Sequence, residues 1–298
     1  MSLTFAYLSI IIIWSTTPLT VQWSAGDNPF FGVAARMLLG FMACWIIILA
    51  KGITIPFSSK TLPVYLVTGI SLFLAMSFVY WSSQFIPSGW ISVLFGLSPV
   101  FTAIFSHLFI GERNFSTQKV IGLLLGFIGL LFVFSSSVEL SYQSFWGIIA
   151  CLIAVIISGG SSVWIKQLNQ TVELTGMQTN IGGLTIAVPF FILTWLIASN
   201  AVIPNLSIQA SISIIYLGLI GTTLGFSLYY FLLKNMEATR VSLITLITPV
   251  TALILGSWLN NEPIITKVWI GTAFICGGLI CFEFRIKAFH SKTKMPAE

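Results

Sequence analysis

Arg36 is a lone permanent charge inside an apolar run, PFFGVAARMLLGFMACWIIILA. A guanidinium near the middle of a membrane helix costs about 2.5–3.5 kcal/mol on insertion scales, so such residues face protein or water. Two readings apply to it: a fork of donors for an anion such as a substrate carboxylate, or a snorkelling or capping role at a neighbouring helix end. Pro99 and Pro249 also fall inside apolar runs. Each removes a backbone hydrogen bond and frees a carbonyl, that of Phe95 or Thr245, at the depth where solutes bind. Hinge or site-lining duty is one reading of the pair, and a passive kink is the other. Trp14, Ser77, Tyr80, Ser98, Trp164, Ser227, Tyr230, Thr245 and Thr248 complete the expected substrate-binding set. A hydroxyl in a helix can bond its own backbone, so no single one of these decides the matter.

The chemistry on offer is recognition rather than catalysis. The chain has one aspartate, Asp27, and two histidines, His107 and His290. There is no HExxH, no pair of carboxylates in an apolar run and no P-loop, so no catalytic residues are expected. Cys44, Cys151, Cys276 and Cys281 form no CxxC pair, and neither a metal nor a cofactor is expected. Every Asp and Glu lies at or beyond the end of an apolar run, which leans away from proton coupling by a buried carboxylate.

The elements that must position these residues are membrane helices. Of 298 residues, 57% are hydrophobic and 7% charged, and the mean hydropathy is +1.00. Soluble domains carry roughly 25% charged residues, so the bilayer is the expected solvent. With about 20 apolar residues needed per crossing, spans are predicted near 3–22, 30–50, 62–84, 88–110, 118–136, 145–166, 176–198, 209–233, 239–259 and 266–284. Turn formers such as Asp27-Asn28-Pro29 and Asn260-Asn261-Glu262-Pro263 separate them. The first run lacks a basic flank and a cleavage site, so it is expected to stay as the first helix. With a cytosolic N-terminus, eleven Lys and Arg fall on inner loops and tail, Lys267 alone falls outside, and Arg36 lies within a span. That asymmetry predicts cytosolic termini at both ends. The basic tail Arg285, Lys287, Lys292, Lys294 follows the last run and fits this rule, so no nucleic-acid partner is expected.

The chain also repeats itself. At an offset of 150, Tyr80 matches Tyr230, Pro99 matches Pro249, Val100 matches Val250 and Glu112 matches Glu262. With a one-residue deletion, Gly122 and Gly129 match Gly271 and Gly278. Five spans per half is an odd number, so the second half enters the membrane upside down. The expected fold is an all-α membrane protein of ten transmembrane helices in two inverted five-helix repeats, residues 1–143 and 144–298. Inverted repeats are how many secondary transporters build two gates around one central site.

These halves resemble the EamA-type branch of the drug/metabolite transporter superfamily, with its two EamA repeats. The likeness is carried by Trp14 before a small polar run, Arg36 in the second span, and Pro99 followed by Gly111-Glu112-Arg113. It covers about 3–135 and 145–284. Gln22, where many members have Lys, and Asn180, opposite Arg36 in the second half, depart from the pattern. The resemblance implies a bacterial inner-membrane carrier of a small molecule, exporting it by alternating access. A neutral, zwitterionic or amphipathic metabolite such as an amino acid suits an aromatic, hydroxyl-rich site with one Arg. The alternatives are a lipid flippase and a scaffold or subunit of a larger complex. Expected partners are the substrate and the lipid bilayer, with the chain a monomer or homodimer.

Overall fold

The computed structural model describes residues 2–110, 117–134, 142–242, 244–262 and 266–283, and the regular structure among them is helical. Helix α1 (Leu3–Ala25) starts where Ser2 Oγ accepts the Phe5 N–H at 3.3 Å, and it stops at Gly26, whose φ of 46° leaves the helical region. Helix α2 (Pro29–Ala50) has Asn28 as its cap and Pro29 in its first turn, where the missing N–H is not needed. Then come α3 (Leu62–Ser82), α4 (Ser88–Phe95), α5 (Ser98–Ile110), α6 (Thr117–Phe134) and α7 (Tyr142–Asn169). Helix α8 (Gly176–Ala198) opens with a capping box between Thr175 and Gln178. After α9 (Ile208–Tyr216) the chain widens into a π-helical segment, Leu217–Gly225, and tightens again as α10 (Phe226–Asn235). Helices α11 (Ala238–Ser242), α12 (Ile244–Asn260) and α13 (Thr266–Glu283) complete the order. Among the described residues, seven helical stretches are long and apolar enough to cross a membrane: α1, α2, α3, α4 with α5, α7, α8, and α9 through α10.

The predicted fourth span is broken. Gly96 and Leu97 separate α4 from α5, so Pro99 occupies the first turn of α5 rather than the middle of a helix. Pro249, its match, does lie inside α12. Glu112 and the basic tail lie outside the described residues.

Side-chain bonds tie the helix ends into two faces. At one, the Asn260 face, Trp23 Nε1 donates to Asn260 Oδ1 at 2.9 Å and Ser199 Oγ donates to Asn28 Oδ1 at 3.0 Å. Glu262 also caps α4 there, taking the Ser88 hydroxyl at 2.7 Å and the N–H groups of Ser88 and Gly89 at 3.2 and 3.3 Å. A carboxylate on two N-terminal N–H groups meets the positive end of the helix dipole. At the opposite, Lys234 face, Lys234 Nζ donates to Leu174 O at 2.8 Å, and Lys166 Nζ donates to the carbonyls of Leu233 and Met236. These lysines satisfy carbonyls at chain reversals that water does not fully reach.

Between the faces, contact is made through small residues, because lipid removes the hydrophobic drive for helix association. A Cβ on Gly129 would meet Gly271 O at 2.5 Å, and one on Gly278 would meet Gly122 O at 2.6 Å, so α6 and α13 cross with their backbones touching. Gly40 does the same for α2, where a Cβ would lie 2.5 Å from the Thr222 side chain in the π segment. Large apolar side chains such as Ile12, Ile46 and Ile197 point outward.

Candidate functional site

A central cavity of about 140 Å³ lies among α1, α2, α3, α4–α5, α7, the π segment with α10, and α11–α12. That space admits several water molecules, the scale of a small metabolite. Helix α1 contributes Trp14, Thr17, Pro18 and Val21, and α2 contributes Arg36. Ser98 and Thr102, one helical turn apart, come from α5. Ser158, Ser161 and Ile165 form one stripe of α7. Ser242, Thr245 and Thr248, at steps of three, form a stripe of α11–α12. Phe226, Tyr229 and Tyr230 of α10 make an aromatic wall that continues to Trp14, whose ring centre is 5.2 Å from that of Tyr229.

Arg36 is 1% exposed. Its Nε donates to Thr222 Oγ1 and one terminal nitrogen donates to the Tyr80 hydroxyl, both at 3.4 Å. Those bonds are long for a charged donor, and a guanidinium has five N–H groups to place. Its carbon also lies 5.7 Å from the Tyr80 ring centre, a cation–π distance. Among the described residues the one ion pair joins Arg240 to Glu237, both well exposed. The guanidinium is therefore held in place by neutral groups while carrying its charge at the cavity wall. Gly40 and Gly218 make this placement possible: the Cβ each lacks would fall within 3 Å of the opposing side chain, Thr222 or Leu39.

Six of the twelve sequence-predicted residues reach the cavity: Trp14, Arg36, Ser98, Tyr230, Thr245 and Thr248. Tyr80 stands behind Arg36, fully buried, with its hydroxyl 2.8 Å from Ser24 Oγ. Ser227 is also behind the wall, accepting from Asn180 Nδ2 at 3.0 Å. Neither Pro99 nor Pro249 is among the lining residues, although Phe95 and Thr245, four positions earlier, are. Ser77 lies instead in a lateral apolar groove with Phe30, Trp81 and Trp146. Trp164 is 53% exposed on the outer surface of α7. Both residues sit on helices that reach the cavity, but on other faces of them.

Thr102, Phe226, Ser158 and Ser242 line the cavity without having been singled out from the sequence. Helical spacing between hydroxyls was the available signal: Ser98 with Thr102, Ser158 with Ser161, and Ser242 with Thr245 and Thr248. Asn180 is the other unexpected participant. It is fully buried and its Nδ2 donates to Thr222 O at 2.9 Å as well as to Ser227, so it braces the π segment that also receives Arg36.

A helical bundle with apolar outer surfaces around a largely apolar pocket of aromatic rings and scattered hydroxyls fits a membrane protein of the transporter class. The chain belongs to the EamA-like transporter family, whose model matches residues 1–135 and 145–283, one repeat in each half. The "Uncharacterized transporter YoaV" of Bacillus subtilis (strain 168) is 25% identical over 283 residues, 93% of this chain and 95% of that protein. The "Uncharacterized inner membrane transporter YedA" of Escherichia coli (strain K12) is 25% identical over 294 residues, covering 96% and 92%. A "Probable amino-acid metabolite efflux pump" of Escherichia coli (strain K12) is 20% identical over 292 residues, 94% of each chain. A solved crystal structure shares the fold with a TM-score of 0.72 at 19% identity, covering 95% of this chain and 98% of its own.

Proposed function

We propose that this transporter is a secondary carrier that exports a small metabolite across the bacterial inner membrane by alternating access. The observation that carries the reading is the central cavity, walled by helices of both repeats and lined by aromatic rings, hydroxyls and one cation. Ten spans follow if α6, α11–α12 and α13 each cross once alongside the seven longer stretches, which already include α4–α5 and α9–α10. Two repeats of five crossings are then inverted, and each gate of the carrier has its counterpart at the other face. Lys51, Lys60, Lys166, Lys234 and Arg240 all belong to the Lys234 face, which supports assigning that face and both termini to the cytosol. The efflux pump among the relatives supports amino-acid-like solutes as the first to try.

Metabolite profiling of the medium from overexpressing cells, followed by counterflow in proteoliposomes, tests the activity. Reporter fusions at Asp27 and Asn205 should read external, and those at Lys60 and Glu298 internal. A tail found outside the cell would remove both the ten-span topology and the inverted-repeat mechanism built on it.

A further inference from the structure

We infer that the cavity selects a monoanionic carboxylate with an apolar body, bound lengthwise between Arg36 and Thr102. The inference deepens the carrier reading, and it is tested by binding as well as by flux. Three observations on the cavity carry it.

The first is charge. Arg36 is the one ionised side chain among the described lining residues, and no described Asp, Glu or Lys shares the wall with it. The Glu262 carboxylate is occupied at the Asn260 face by Ser88, Gly89 and Asn260. A guanidinium does not lose its proton in a protein, so the wall carries one positive charge at low dielectric with no described carboxylate facing it. A carboxylate in contact with it gains on the order of a hundredfold or more in affinity, and an ammonium elsewhere in the cavity loses about tenfold. A zwitterion brings both effects and falls between an anion and a neutral amide or a cation.

The second is an unpaired hydroxyl. Thr102 is 1% exposed and lines the cavity, and its Oγ1 has no hydrogen-bond partner. A buried polar atom left without a partner is costly; Oγ1 is closed off in this conformation, and a turn about the Thr102 side-chain bond would present it to a ligand group in the cavity. The third is spacing. Arg36 is seven residues into α2 and Thr102 fourteen beyond the start of α4, and both helices start at the Asn260 face. At 1.5 Å per residue of helix, with the break at Gly96 and Leu97 in the path, Thr102 lies up to about 10 Å deeper than Arg36. The aromatic residues Trp14, Phe226, Tyr229 and Tyr230 line the same cavity and suit a flat apolar body. Tyr80 acts as a positioning residue, since it accepts from Arg36 and shares a hydrogen bond with Ser24 without reaching the cavity.

A series with one ring and different charges provides the test: 4-hydroxyphenylpropionate, tyrosine, 4-hydroxyphenylpropionamide and tyramine, with 3-phenylpropionate as the analogue lacking the distal hydroxyl. Binding is measured on the purified full chain in detergent, by ligand-induced shifts of thermal unfolding. The hydroxylated anion should bind tightest, tyrosine next, and the amide and amine at least about tenfold more weakly. Arg36→Gln should abolish the charge order. Arg36→Lys should keep the order but weaken the anion, because the planar fork is lost. Thr102→Val should remove the several-fold advantage of 4-hydroxyphenylpropionate over 3-phenylpropionate. Tyramine or the amide binding as well as the anion, an order that survives Arg36→Gln, or no binding by any of the five to folded protein overturns the inference. Binding in the expected order without counterflow in proteoliposomes would leave it standing and remove the carrier reading. Flux that prefers the amine would keep the carrier and remove the inference.

Discussion

Helices α2 and α8 hold equivalent places in the two repeats, yet they treat the same neighbour differently. Both reach Thr222 in the π segment: Arg36 of α2 donates to its hydroxyl, and Asn180 of α8 donates to its carbonyl. Arg36 turns its charge toward the cavity, whereas Asn180 spends its donors on the Thr222 and Thr223 carbonyls and on Ser227. At this pair of positions the repeated scaffold places a charge at the cavity wall in one half and backbone support in the other. The matched tyrosines divide the other way, with Tyr80 of the first half buried behind Arg36 and Tyr230 of the second on the cavity wall.

The sharpest test of this division compares stability. Asn180→Leu strips donors from buried carbonyls and should lower stability by about 1–3 kcal/mol, read as a lower unfolding midpoint in detergent. Arg36→Leu replaces a buried charge that lacks a counter-ion and should be neutral or stabilising. If Arg36→Leu proves the more damaging of the two, the assignment of roles is reversed.

Glu262→Gln comes next in size. It weakens the charged cap that α12's end places on α4, by about 1 kcal/mol. A cysteine introduced at Val21, in a background without the native cysteines, should then react faster with water-soluble thiol reagents. An unchanged rate would make Glu262 a loop organiser with no part in closing that face.

Labelling separates the two tyrosines. Cysteine in place of Tyr230 should react and be protected by bound solute, while cysteine in place of Tyr80 should react more slowly, being shielded behind Arg36. Equal rates would erase the distinction between wall and support.

The prolines give the smallest effect, and it is unequal. Pro99→Ala falls in the first turn of α5, where the restored N–H has no helical partner to gain, so stability should move within about 0.5 kcal/mol. Pro249→Ala restores an N–H facing Thr245 O inside α12 and should straighten that helix and change the transport rate. Two silent substitutions would make both kinks passive.

That the chain is built of apolar helices was legible in the sequence, because twenty-residue apolar runs have one stable form in lipid. Which face of each helix meets the cavity was not. In water the apolar stripe marks the inside of a helix, but in a bilayer both sides are apolar. Trp164 and Ser161 are neighbours on α7, and one faces outward while the other lines the cavity. Ser77 and Ser71 on α3 divide the same way between the lateral groove and the centre. Arg36 was legible because a charge has few tolerable places in a membrane. Thr102 was hidden among hydroxyls that look alike until their partners are known. The break at Gly96 and Leu97 was masked by Pro99, which drew the expected kink three residues too far along the chain.

The π segment has a consequence for how this site can be inherited. Its wide turns hold surplus length, and only Gly221 of its nine residues lines the cavity. Deleting one residue between Leu217 and Gly225 would let the chain wind as an ordinary helix with the surplus removed, and α10 would keep nearly its present facing. Tyr229 and Tyr230 would stay on the cavity wall, and the loss would fall on the widened backbone that presents the Thr222 and Thr223 carbonyls to Asn180. A lineage carrying this pocket can therefore change the length of the segment more easily than Gly218 or Thr222, which meet α2 directly.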